Sequence, residues 1–216
     1  MARERREPDG RTTRPTTKGD RTRAFIVEQA AEAYNVLGFA GLSIAEILAR
    51  TQLEKGGFYN HFKSKDELAL AAFDHLIGKI RGRIDRDMAA AGESAAARLL
   101  AMADVCSSVP DERFMRGGCP ILNTATEADD THPALRARAR DAMASWHDLV
   151  RRTLESGVAR GEFAGTIDAH ASATVVIAAL EGGVLMAKLY RDSAYVRSVA
   201  TFVRGYVASL QAGAGD

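Results

Sequence analysis

Apolar positions along the chain recur at helical rather than strand spacing. Ile26, Ala30, Ala33 and Leu37 follow an i, i+4, i+7, i+11 stripe, the period that gathers side chains on one face of an α-helix. Asp20 stands where the cap of that helix is expected, and Gly38 reads as its stop. Ser43-Ile44-Ala45-Glu46 has the form of a capping box and predicts a short helix to about Arg50, burying Ile44, Ile47 and Leu48. After the turn Thr51-Gln52-Leu53, a third short element ends near Phe62. Ser64-Lys65-Asp66-Glu67 repeats the box and opens a long helix through Leu68, Ala71, Ala72, His75 and Leu76. Downstream, helices are predicted from about Ser94 to Ser107, shortly after Pro120, from Pro133 to Arg160, from Asp168 to Arg191 and from Ser193 to Gln211. Leu135, Ala139, Met143, Trp146 and Val150 lie roughly on one side of the helix after Pro133. Strand-like alternation is nearly absent, so the expected fold is all-α, with about nine helices and no sheet.

Composition changes this picture little. The 216 residues are 46% apolar and 26% charged, ordinary for a globular chain with one or two domains. Charge is more informative by position. Residues 1–66 hold 12 Lys/Arg against 9 Asp/Glu, and the remainder 17 against 19, the sign expected if an anionic polymer meets the N-terminal part. Residues 1–19 have almost no apolar content and read as a disordered basic tail. It is either a solvated terminus or an arm that touches DNA. No apolar leader segment is visible, and the run from Ala173 to Leu180 ends at Glu181, too short to span a bilayer. Two cysteines make no disulfide framework, which together points to a reducing cytoplasm and no membrane partner. Neither a metal site nor a cofactor is expected, because the five histidines show no ligand spacing.

A short capped helix, a three-residue turn and a second short helix make a helix-turn-helix, whose second helix lies in the DNA major groove. Lys55, Tyr59, His61, Lys63 and Lys65 offer donors suited to phosphate oxygens. Gly56-Gly57 is not a phosphate-cradling loop, since no strand precedes it and no Gly-Lys-Ser/Thr ending follows. Phe58 and Phe62 read as core residues rather than base-stackers.

Residues 22–68 resemble the N-terminal domain of TetR/AcrR-type transcriptional regulators. The features are Gly38-Phe39, Gly41-Leu42-Ser43-Ile44, Ile47, the Lys55-Gly56 step, Phe58-Tyr59-Asn60-His61-Phe62 and Lys63-Ser64-Lys65-Asp66-Glu67-Leu68, in order. The resemblance implies a DNA-binding domain over residues 20–66 and a helical ligand-binding and dimerisation domain over 67–216. It implies a homodimer on an inverted-repeat operator, and a repressor released by a small-molecule inducer. Ser43 would contact phosphate, Lys55, Tyr59, His61 and Lys65 would hold the backbone, and Gly57 and Asn60 would face the groove, with Gly56 beside them. Two positions depart from the commonest family pattern. Gln52 stands where glycine is frequent, and Glu54 where a small hydroxyl residue is. Glu54 either favours the helix macrodipole while repelling phosphate, or accepts from a cytosine amino group.

For the second domain the residues say less. Ala171, Thr174, Ala178, Gly182 and Leu185 form a mostly small-residue face at helical spacing, a candidate dimer interface or a packing face within one subunit. Phe114, Met115, Cys119, Asn123, Met143, Trp146 and His147 mix apolar walls with polar anchors, as ligand pockets do. Cys119 follows two glycines and precedes a helix start, where a thiolate would be stabilised, so a redox-responsive regulator is the alternative function. An enzyme built on Cys119 and His147 is disfavoured, because no motif links or orients the pair.

Overall fold

A computed structural model describes residues 17–108, 115–128 and 130–211. Most of the N-terminal tail and Phe114 lie outside these residues. Nine helices are present among them: α1 (Lys18–Gly41), α2 (Ile44–Thr51), α3 (Lys55–Tyr59), α4 (Lys65–Ala90), α5 (Ala95–Ser108), α6 (Pro120–Ala128), α7 (Pro133–Ala159), α8 (Ala169–Tyr190) and α9 (Ala194–Ser209). The one pairing of extended backbone among the described residues is an isolated bridge between Phe163 and Gln211.

Helix starts follow the capping chemistry, with two corrections. The cap of α1 is Thr17, not Asp20. Thr17 accepts from the Asp20 N–H while Asp20 accepts from the Thr17 N–H, so Asp20 is the third-position partner of a full capping box. Ser43 and Ser64 do cap α2 and α4, accepting the N–H of Glu46 and Glu67 at 3.1 Å. Neither carboxylate turns back to its capping serine, however. Glu46 accepts from Arg50 at 2.7 Å and Glu67 from the Lys63 N–H at 2.8 Å. Gly38 does interrupt the helical backbone of α1, at φ 73° and ψ 179°, and a short turn carries the element on to Gly41.

Two large apolar cores stack along α4 and α7, beside a smaller cluster of Met115, Val184, Ala187 and Val196. The first gathers Ile26, Ala30, Leu42, Ile47, Phe58, Phe62 and the N-terminal half of α4 with residues of α6 and α7. The second joins the C-terminal half of α4 to α5, α7, α8 and α9. α4 therefore belongs to both. Although α8 is long and apolar enough to cross a membrane by length and composition, half of its apolar window is buried, and it packs on α5, α7 and α9.

A polar latch fastens α1 to the rest. The Glu127 carboxylate accepts the N–H groups of Phe39 and Ala40 at 2.7 and 2.8 Å, at the Gly38 kink. Asn123 Nδ2 donates to the Gly117 carbonyl at 2.7 Å and to Asn35 Oδ1 at 3.3 Å. Asn35 Nδ2 donates to the Gly118 carbonyl at 3.0 Å, and Lys188 Nζ donates to Asn123 Oδ1 at 3.1 Å. Tyr34 and Thr124 share a buried hydroxyl contact of 3.0 Å. Buried polar groups carry a desolvation cost unless paired. Here the pairs join α1, α6, α8 and the turn between α5 and α6.

Candidate nucleic-acid interface and ligand cavity

α2 and α3 form the helix-turn-helix, and its turn is strained. Gln52 closes α2 with φ 56° and ψ 27°, a left-handed conformation costing about 1–2 kcal/mol for a residue with a Cβ. That is the position where the family pattern favours glycine. Phe58 and Phe62 are fully buried and pack with ring centroids 5.9 Å apart, so they anchor α3 from within. The opposite side of α3 is open. Lys55, Gly56 and Asn60 are exposed, Tyr59 is 44% exposed, and Gly57 is half-buried.

A Cβ built on Gly56 meets nothing within 4 Å, and one on Gly57 meets only Leu53 at an ordinary 3.7 Å. Internal packing therefore does not require glycine at either position. Glu54 is the N-cap residue of α3 but makes no side-chain cap bond, and it is exposed. Ser43 spends a lone pair on the α2 cap, which leaves its hydroxyl proton free to donate. His61 is half-buried. Lys65 lies over the Phe39 ring at 4.4 Å and donates to the Ala40 carbonyl at 3.4 Å. It is half-buried, so a phosphate contact from it would compete with these partners.

Beneath this unit lies a cavity of about 260 Å³, walled by α4, α5, α7, α8 and the turn that carries Met115 and Cys119. Its surface is mostly apolar, from side chains such as Phe73, Ile77, Ile84, Leu149 and Val184. Met115, Cys119 and Trp146 line it. Three other pocket candidates do not. Asn123 is committed to the latch, and Met143 packs between the two cores. His147 faces α8, bonded to Thr174 at 3.1 Å and against the His170 ring at 4.6 Å. Cys119 and His147 thus have different partners and form no nucleophile–base pair.

Sequence reasoning missed Glu181, which is 8% exposed and lines the cavity. Its carboxyl is pushed up by burial, against a hydrogen bond from the Cys119 thiol that lowers it. Cys119 is itself pushed well above the ordinary thiol range, by burial first and then by the Glu181 charge. The expected stabilised thiolate is overturned: the helix start at Pro120 is outweighed by desolvation and a facing carboxyl. At the cavity wall Asp74 pairs with Arg138 at 3.4 Å.

The face of α8 picked for dimerisation is bare. Ala171, Thr174, Ala178 and Leu185 are exposed, and a Cβ at Gly182 would meet nothing. Ten large apolar side chains are exposed among the described residues; six of them, Val175, Leu185, Met186, Leu189, Tyr190 and Phe202, lie on α8 and α9.

The relatives share this organisation. The sequence model for bacterial regulatory proteins of the tetR family matches residues 26–72, and that for the tetracyclin repressor-like C-terminal domain matches residues 95–203. The chain is 40% identical to a TetR transcriptional regulator from Chloroflexus aurantiacus J-10-FL, with a TM-score of 0.85 over 90% of this chain and 98% of that one. A TetR-family regulator from Cytophaga hutchinsonii is 34% identical, with a TM-score of 0.83 over 92% of this chain and 98% of its own. The HTH-type transcriptional regulator TtgR of Pseudomonas putida is 28% identical over 83% of this chain and 86% of its length. Family models at both ends and the shared fold lead to one conclusion: the chain belongs to the TetR family of DNA-binding transcriptional regulators.

Proposed function

We propose that this regulator is a homodimeric repressor that binds an inverted-repeat operator through α3 and leaves it when a small molecule enters the cavity. The observation that carries the reading is the double duty of α4. Leu68 and Ala72 sit in the core beneath the helix-turn-helix, while Phe73, Ile77 and Ile84 wall the cavity. A ligand that shifts α4 therefore shifts the DNA-binding unit with it, and a population shift needs such a difference in contacts between two states. Residues 20–66 would be the DNA-binding part and residues 67–216 the ligand and dimer part.

On the DNA side, the glycine pair lets the α3 backbone approach the groove, flanked by Lys55, Tyr59 and Asn60. The dimer forms through the exposed apolar face of α8 and α9, since contiguous apolar surface of this kind marks interaction sites. The raised Cys119 thiol weighs against a redox-responsive regulator, and ligand control is the stronger reading.

Gly57→Ala separates DNA binding from packing. The substitution is expected to stabilise the fold by about 0.5–1 kcal/mol, because alanine is the better helix former. It is nevertheless expected to weaken DNA binding, because the added methyl group stands off the groove. A variant that melts higher and binds as tightly as the parent contradicts the close approach. Lys55→Ala and Lys65→Ala are each expected to lower the slope of log affinity against log salt by about 1. An unchanged slope for either variant removes that lysine from the phosphate contacts.

A further inference from the structure

Glu181 is the anomaly of the cavity. It interrupts the most apolar stretch of the chain, on the middle of α8, and the residue is only 8% exposed. Among the described residues, Oε2 has no hydrogen-bond partner. The other interaction at this carboxyl is with the Cys119 thiol, a weak donor. A buried carboxylate left in this state lacks the compensation that buried charges normally require. The remaining charges on the cavity wall are occupied elsewhere. Asp74 pairs with Arg138, Asp141 with Arg140, and Arg81 with Ser145 and Asp85. Phe73 and Trp146 line the same space, and aromatic faces favour cations.

Resting on the reading of this cavity as the inducer site, we infer that it takes a small cationic amphiphile, whose ammonium head is held by Glu181 and whose apolar body fills the space between Phe73, Ile77 and Trp146. The head supplies the donor and the positive charge that the pocket lacks. Its N–H donates to the open Oε2, so an otherwise unsatisfied buried acceptor gains a charge-assisted hydrogen bond. A neutral alcohol of equal size would fill the apolar space and offer Oε2 at most an uncharged hydrogen bond, weaker than the charge-assisted one. An anionic one would meet a like charge in a low-dielectric site. The cavity thus selects by charge at one end and by apolarity elsewhere.

Trp146 is the chain's one tryptophan and lines the cavity, so its fluorescence reports occupancy. The test titrates the full chain with n-octylamine, n-octanol and n-octanoate, which share a tail and differ in the head. The expected order is octylamine at least tenfold tighter than octanol, with octanoate weakest. E181Q should erase the preference for the amine, bringing octylamine to no better than the affinity of octanol, and E181D should retain the preference. If octanol binds as tightly as octylamine to the parent protein, the cation anchor is overturned while the cavity stands as a ligand site. If none of the three probes changes Trp146 emission, the inducer-site reading falls as well. The comparison within the parent protein decides the matter even if a Glu181 variant fails to fold.

Discussion

Replacing Leu189 with arginine is expected to halve the mass of the protein in solution and to weaken its binding to operator DNA by about 100-fold or more. Leu189 is 71% exposed, the largest exposure of any big apolar side chain among the described residues. It continues the α8 stripe that runs through Val175, Ala178, Gly182, Leu185 and Met186. On α9, Phe202 is 64% exposed. In the proposed dimer, a guanidinium placed in the middle of this apolar face would leave two like charges facing across a two-fold axis, each stripped of water. The DNA effect follows from valence. Once one subunit is bound, the other meets its half-site at an effective concentration set by the dimer, and that gain is worth about 100-fold to 10,000-fold in avidity. Light scattering and fluorescence anisotropy measure the two effects separately. A Leu189→Arg protein that remains dimeric and binds normally would place the interface elsewhere.

Gly117→Ala is expected to be the most destabilising single-methyl change in the chain, costing about 3 kcal/mol, the upper end for overpacking a rigid site. A Cβ at residue 117 would fall inside the van der Waals radius of the Asn35 carbonyl oxygen, and that backbone cannot yield, because α1 is held there by the Asn35–Asn123 latch. For a protein of this size, the loss corresponds to a fall in melting temperature of about 6–12 °C at fixed protein concentration. Gly118→Ala provides the contrast. Its φ is +86°, but the nearest atoms belong to the flexible Lys188 side chain at 3.2 Å. Gly56→Ala meets nothing at all. The predicted order of melting temperatures is Gly56→Ala highest, then Gly118→Ala, then Gly117→Ala. If Gly117→Ala melts with the parent, α1 is not locked to the α6 turn as described.

The sequence showed local features well and distant ones poorly. Ser43 and Ser64 cap helices because their partners are three residues away, and the stripes of α1 and α7 recur at short fixed spacing. The full capping box at Thr17 was displaced by three residues because Thr17 and Asp20 are both good capping types. Glu127, Asn35 and Asn123 gave no such signal, since their partners lie 83 to 88 residues off. Periodicity also says which residues share a face, not what that face meets. Trp146 and His147 are neighbours in sequence, yet one lines the cavity and the other turns to Thr174 on α8. Cys119 shows a local rule overruled: a helix start would favour a thiolate, but burial in the folded chain, with the Glu181 carboxyl 62 residues on adding to it, pushes the thiol up instead. Met115, Cys119 and Trp146 were legible as cavity residues, whereas Glu181 read only as the end of an apolar run, because its burial depends on elements far along the chain.

The central claim, a dimeric repressor reading an inverted repeat through α3, is tested most directly by selecting binding sites from a random DNA duplex library with the full-length protein. The account predicts enrichment of a near-palindrome whose half-sites lie about one helical turn apart or somewhat more. It also predicts that the enriched site is lost when the selection is repeated with Leu189→Arg. Enrichment of a sequence with no dyad, or no enrichment at all, would contradict it.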